Sequence, residues 1–356
     1  QDLSVGLSAL RDGRSAWKPV SRAAPVADGS AVWVDLPAYL AVRHAPQNWA
    51  HHAVEAVLAV YALALAAEDG AGIPHGRRLL FFLDDCSPVL RGDSVEYCVQ
   101  HVPQPLACLR DMSALCAKFS RQLWPLLSDW PALEASHLRE RLAGADGSAE
   151  PRYLCFRSLH AGTGAWHRPL TAEGEWAADP SFAPAMRLFR WHAAARLGAS
   201  TGGGQAAEDG RGRALAAVVK RNRRSVRNPD ELLLWLREVA EAKSLRFEEV
   251  SFEGSLAEQA ALLASTSLLV ASGGSSHFAG LFLPAGAALL VLPACAAVSP
   301  EPGKVDCFSA RLLACCGMRW AEYPVRWEDI VYSVGRGFDY TVRRKVLEEV
   351  LQQLLE

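Results

Sequence analysis

His51 and Glu55 stand four residues apart in the segment NWAHHAVE, residues 48–55. On a helix that spacing brings an imidazole and a carboxylate to one face, where the carboxylate can orient the ring for proton transfer. His51 is the expected base and Glu55 its orienting partner. Direct base action by Glu55, or by Asp84 or Asp85 just past the apolar run Arg78–Leu83, is one alternative, and a purely structural role is another. His52 points about 100° away and is expected to be structural or to contact substrate.

A second group lies in the C-terminal half. Lys220–Arg227 reads KRNRRSVR directly after the apolar run Ala214–Val219. Basic side chains at the carboxyl end of a strand suit a diphosphate, with arginine able to grip it bidentately. Lys220, Arg221 and Arg224 are the candidates, and a solvated basic patch is the alternative. Ala271–Pro284, ASGGSSHFAGLFLP, follows another apolar run. A Gly/Ser loop between a strand and a helix gathers backbone N–H groups around an anion; otherwise it is a tight turn. Gly274, Ser275 and Ser276 are expected at phosphate or ribose. His277 contacts phosphate or sugar, or else caps or packs. Glu253, past the strand Leu245–Val250, is the candidate for ribose hydroxyls.

These residues need elements to hold them. Trp49–Glu68 predicts a helix, with Val54, Val57, Leu58, Tyr61 and Leu65 on one apolar face. Leu106–Leu127 and Ala132–Ala143 read as further helices, Arg152–Phe156 as a strand. From Ala214 onward strands and helices alternate. Asn228 and Pro229 open one helix, and Ser255 with Glu258 makes a capping box for the next. That rhythm predicts an open parallel sheet with helices on both faces, which binds ligands beyond the carboxyl ends of its strands. Glycine-rich Leu197–Gly212 is expected to be a flexible surface loop or the interdomain hinge. The expected domains are 1–200 on the acceptor side, 201–330 for nucleotide sugar, and 331–356 as a helix packing back across both.

The bulk properties narrow the function. Half the residues are apolar and 21% are charged, so the chain folds. Lys and Arg number 37 against 39 Asp and Glu, which gives no broad basic field for nucleic acid. Zinc spacings and the P-loop and dinucleotide fingerprints do not occur. Nine cysteines, eight of them clustered at 86–116 and 295–316 with Cys155 apart, suggest disulfides in a secretory compartment, with at least one thiol left over. No apolar run is long enough to span a membrane, so attachment is expected only through an N-terminal anchor outside this chain.

Taken together, these motifs resemble the glycosyltransferase 61 family over about residues 44–330. That family includes plant xylosyl- and arabinosyltransferases and animal protein O-linked N-acetylglucosaminyltransferases. The matches run in order: Asn48, Trp49, His51 and Glu55; the cysteine-bearing strand and small-residue turn Cys155–Gly164; Arg221 and Arg224 within Lys220–Asn228; Phe252, Glu253, Ser255, Glu258 and Gln259; and the Ser272–Ser276 loop followed by Phe282, Pro284 and Gly286. Ser272 stands where the family has histidine, and Ser275 where it has a third glycine.

The resemblance implies an α/β chain of GT-B type, two Rossmann-like domains facing across a cleft. It also implies inverting transfer of a sugar from a nucleotide donor, UDP by expectation, to a hydroxyl of a glycan or glycoprotein acceptor. Neither metal nor cofactor is required on this reading, and the compartment is the lumen of the Golgi or endoplasmic reticulum. A catalytically inactive nucleotide- or carbohydrate-binding relative is the second reading, raised by Ser272.

Overall fold

The computed structural model describes residues 2–5, 19–22, 31–41, 43, 46–67, 78–82, 86, 98, 103–134, 153–161, 182–199, 213–220, 226–251, 254–297, 305–308, 313, 318–333 and 337–356. The chain forms two compact units, Gln1–Arg168 and Pro169–Glu356.

In the first unit, β1 (Asp2–Val5) and β2 (Pro19–Arg22) form an antiparallel pair. Then follow β3 (Ala31–Val34), β4 (Ala38–Ala41), a helix leading into α1 (Ala59–Ala67), β5 (Leu79–Phe82), α2 (Pro105–Leu123), β6 (Tyr153–Phe156) and β7 (Leu159–Ala161). β3 pairs in parallel with β6, while β4 lies between β5 and β7 in a parallel sheet. The β4 sequence AYLA is buried throughout. Such unbroken apolar runs suit strands covered on both faces. Ala38, Leu40 and Phe81 form a core with Leu133, Phe156 and Leu159 packed on it.

The helix between β4 and β5 departs from the expected one-sided pattern. Its first stretch, His51–Leu58, is π-helical, and every residue from His52 to Tyr61 is buried. A helix that is apolar all round is enclosed on all sides. Ala53, Ala56 and Ala59 are buried along with the valines. Two disulfides, Cys86–Cys116 and Cys98–Cys108, tie α2 to the chain that follows β5.

The second unit contains α3 (Phe182–Arg196), β8 (Ala214–Val218), α4 (Pro229–Ala242), β9 (Arg246–Glu249), α5 (Leu256–Ala264), β10 (Thr266–Ser272), a 3₁₀ segment Ser275–Phe282 and β11 (Ala288–Leu292). After these come β12 (Ala294–Ala297), β13 (Val305–Phe308), β14 (Arg319–Glu322), β15 (Ile330–Ser333), β16 (Gly337–Tyr340) and α6 (Arg344–Leu355). Five strands make one all-parallel sheet in the order β14-β11-β10-β8-β9. Numbered by succession this is 5-4-3-1-2, a doubly wound order whose direction reverses between its first and third strands.

Alternate residues separate the faces of this sheet. Leu215, Ala217, Leu268, Val270 and Leu290 pack with Leu232 and Leu236 of α4 and with Leu347 and Leu351 of α6. On the other face the 3₁₀ segment covers β10 and β11, and α3 and α5 pack against that segment. A second, antiparallel sheet runs β13-β12-β16-β15, with Cys295–Cys307 joining facing residues of β12 and β13. Cys155 is a reduced thiol.

The α/β architecture with parallel sheets is thus present. The division of the chain differs from the expected break at 200. α3 belongs with the second unit because Arg190 donates to the carbonyls of Leu281 (3.3 Å) and Leu283 (2.7 Å) at the end of the 3₁₀ segment. The C-terminal helix, expected to bridge domains, packs on the second unit's own sheet.

Candidate functional site

The first candidate constellation begins where β4 ends. Asn48 starts the helix: its side-chain oxygen accepts from the N–H of Ala50 at 3.0 Å, and its carbonyl accepts from the N–H of His52 at 2.9 Å. His51 Nδ1 then lies 2.6 Å from Glu55 Oε2. The imidazole is 21% exposed, while the carboxylate is fully enclosed. Glu55 therefore fixes the Nδ1 side of the ring, so a proton taken from a substrate hydroxyl would arrive at Nε2.

His52, its neighbour in sequence, is committed elsewhere. Trp124 Nε1 donates to its Nε2 at 2.8 Å, which leaves the proton on Nδ1 for the carbonyl of Pro46 at 2.9 Å. Burial, with Arg43 nearby, outweighs the hydrogen bond to Pro46 and lowers its pKa to about 3. His52 is a neutral structural residue that pins the start of the helix to the end of α2. The indole of Trp124 also packs on Phe82, the last residue of β5, with ring centroids 4.3 Å apart.

The second constellation lies at the carboxyl ends of β8 and β10, at the reversal of strand order. The Lys220 N–H donates to Ser272 Oγ at 2.9 Å, and its ammonium donates to the Gly273 carbonyl at 2.8 Å. Ser272 is buried, and its own carbonyl accepts from Ser276 Oγ at 2.6 Å. This serine joins three pieces of backbone: the end of β8, the end of β10 and the first turn of the 3₁₀ segment. Gly273 donates to Leu292 O; a Cβ there would meet Ala294 N at 2.8 Å. Gly274 has φ +97°, and a Cβ on it would come 2.7 Å from the Lys220 ammonium. Both glycines are required, the first by close approach and the second by conformation as well.

No protein-family model matches the chain, and no curated protein matches it.

Of the residues singled out from sequence, His51 and Glu55 are brought together, as are Lys220, Gly274, Ser275 and Ser276. Gly274 is exposed and Ser275 half-buried, whereas Ser276 is buried with its hydroxyl turned to Ser272. His277 is 1% exposed and packs on Phe278, ring centroids 4.1 Å apart. Asp85, Arg221, Arg224 and Glu253 lie outside the described residues, as do Asp84 and Phe252. Glu258 closes the expected capping box: Ser255 N and Oγ each donate to its Oε2 at 2.8 Å, and these bonds hold its pKa below the usual carboxylate value. Gln259 donates to the Gly254 carbonyl at 2.7 Å. Asn228 departs from the capping role expected of it; its amide bonds both the N–H and the carbonyl of Val342, each at 2.9 Å.

Sequence reasoning missed Arg43, Trp124 and the structural duty of Ser272. A tryptophan paired with a histidine seventy-two positions away leaves no local pattern. Among the described residues no group of three His, Cys, Asp or Glu could hold a metal ion, and no helix is long and apolar enough to cross a membrane.

Proposed function

We propose that this chain is an inverting glycosyltransferase of GT-B type. On this reading the second unit holds a nucleotide-sugar donor, UDP-linked by preference, and the first receives a glycan or glycoprotein hydroxyl. One observation carries it: Lys220 and the Gly273–Ser276 loop meet at the switch point of a doubly wound parallel sheet, where such sheets take nucleotide phosphates. The Lys220 ammonium and the first-turn N–H groups of the 3₁₀ segment supply positive potential for a departing diphosphate. His51, held by Glu55, takes the proton of the acceptor hydroxyl. Neither step calls on a metal. Three disulfides among the described residues favour an oxidising lumen, Golgi or endoplasmic reticulum.

The test is a thermal-shift series with nucleoside diphosphates on the wild type and on Lys220→Met. UDP should raise Tm in the first and much less in the second. No stabilisation by any nucleoside diphosphate would sink the reading.

The second reading, a nucleotide-binding relative without transfer, draws on Ser272. Its buried hydroxyl accepts from Lys220 N, a structural role at the position where the resembled family has histidine. UDP binding with no turnover of any UDP-sugar, hydrolytic or transferring, would favour it.

A further inference from the structure

Arg43, two residues past β4, is a fully enclosed cation. Its Nη1 lies 3.3 Å from Cys86 Sγ, 2.9 Å from Ser120 Oγ and 2.9 Å from Glu134 Oε1. The guanidinium also sits over the ring of Phe82, 4.4 Å from its centroid. Cys86 is one half of the Cys86–Cys116 bridge. An uncharged disulfide sulfur gives a guanidinium little, whereas a thiolate in the same place would give it a full opposite charge. Arg43 therefore favours the reduced state of this bridge over the oxidised one.

We propose that Cys86–Cys116 is the redox-responsive bond of this protein, and that Arg43 is the group that stabilises its reduced form. Among the described residues, no cation lies against the sulfurs of the other two described bridges. Cys98 Sγ packs 3.5 Å from the thioether of Met112, and Cys295–Cys307 spans facing residues of two strands.

The junction is also built to outlast reduction. Ser113, Cys116 and Ser120 share one face of α2, at spacings of three and four. Ser113 Oγ donates to the Cys86 carbonyl, and Cys86 N donates to Glu134 Oε2 at 3.1 Å. Cys86 stays seated by these bonds when its covalent link opens.

With a dithiol reductant the step balances. One reagent thiolate attacks a bridge sulfur, forms a mixed disulfide and expels the other protein sulfur. The second reagent thiol closes the reagent's own disulfide and releases the first protein sulfur. Two electrons pass to the protein. One reagent proton goes to Cys116 and one to solvent, leaving Cys86 as a thiolate beside Arg43.

The experiment poises the full chain in dithiothreitol buffers of graded reduced-to-oxidised ratio, traps thiols by alkylation and locates them by peptide mass spectrometry. Cys86 and Cys116 should open at a ratio about tenfold or more below that needed by either other bridge. Glu134→Gln removes the carboxylate that competes for Arg43 and should make opening easier still. Arg43→Gln should make it harder. Because Arg43 is buried and its loss can prevent folding, the partly exposed Glu134 carries the test alone if needed. Opening of Cys86–Cys116 together with or after the other bridges overturns the proposal. So does Glu134→Gln leaving the ratio unmoved or raising it.

Discussion

The two units handle their polar chemistry in opposite ways. In the first, His51, Glu55, His52 and Arg43 are set into a helix and strand ends that are buried almost all round. His52 and Arg43 are fixed by side chains distant in sequence, Arg43 with a disulfide alongside, while His51 and Glu55 hold each other one turn apart. In the second, polar groups gather in a short loop whose shape depends on backbone and on the lack of side chains at Gly273 and Gly274. One site is positioned by packing and the other by steric vacancy. The first should therefore fail through chemistry and charge, the second through added atoms.

The largest effect expected is on turnover. If the first unit supplies the base, His51→Ala should lower transfer by roughly 10²–10⁴-fold, with the UDP-induced thermal shift unchanged. A shift lost together with activity would break the division of labour between the units. Next is Gly273→Ala, whose new Cβ meets backbone rather than a movable side chain. It should cost about 3 kcal/mol in urea unfolding, against less than about 1 kcal/mol for Gly286→Ala if only its positive φ matters, since no atom lies within 4 Å there.

The third contrast is with pH. His52 has a folded-state pKa of about 3, below its unfolded value of 6.5. The unfolded chain therefore binds this proton first, so the stability it contributes is complete above pH 6.5 and is lost as pH falls toward 3. Unfolding at pH 5 should show about 2 kcal/mol less stability from this group than at pH 7; in His52→Gln that slope should flatten. Ser272→Ala, which leaves the Lys220 N–H without its acceptor, should cost about 1–2 kcal/mol. The smallest effect belongs to the surface: Arg344→Ala breaks ion pairs with Glu238 and Glu348 at half-exposed side chains and should leave the urea-unfolding midpoint nearly unchanged.

The sequence made local features legible and hid the distant ones. The capping box at Ser255, the start of α4 at Pro229 and the strand runs of the second half follow from patterns a few residues long. The His51–Glu55 pair was readable for the same reason, since i and i+4 meet in either an α- or a π-turn. Three features depended on what lies opposite. The all-round burial of His52–Tyr61 arises from neighbours that no periodicity reveals. The 3₁₀ form of Ser275–Phe282 goes with a segment pressed flat on β10 and β11, where an added Cβ at Gly280 would meet Leu289 and Leu313 within 3.2 Å. Asn228, which looks like a cap, is drawn to Val342 because the chain returns there after more than a hundred residues.

The strand order of the five-stranded parallel sheet also bears on how the chain is made. β8 leaves the ribosome first, yet its place is between β9 and β10, so one of its edges stays unpaired until Thr266–Ser272 has been synthesised. At roughly 5–20 residues per second that wait lasts a few seconds, with the apolar run Ala214–Val218 open to wrong partners. The Ser272 hydroxyl arrives last and meets the Lys220 N–H at the end of that strand. The residue at the heart of the candidate ligand site is thus also the one that marks, during synthesis, the moment the centre of the sheet closes.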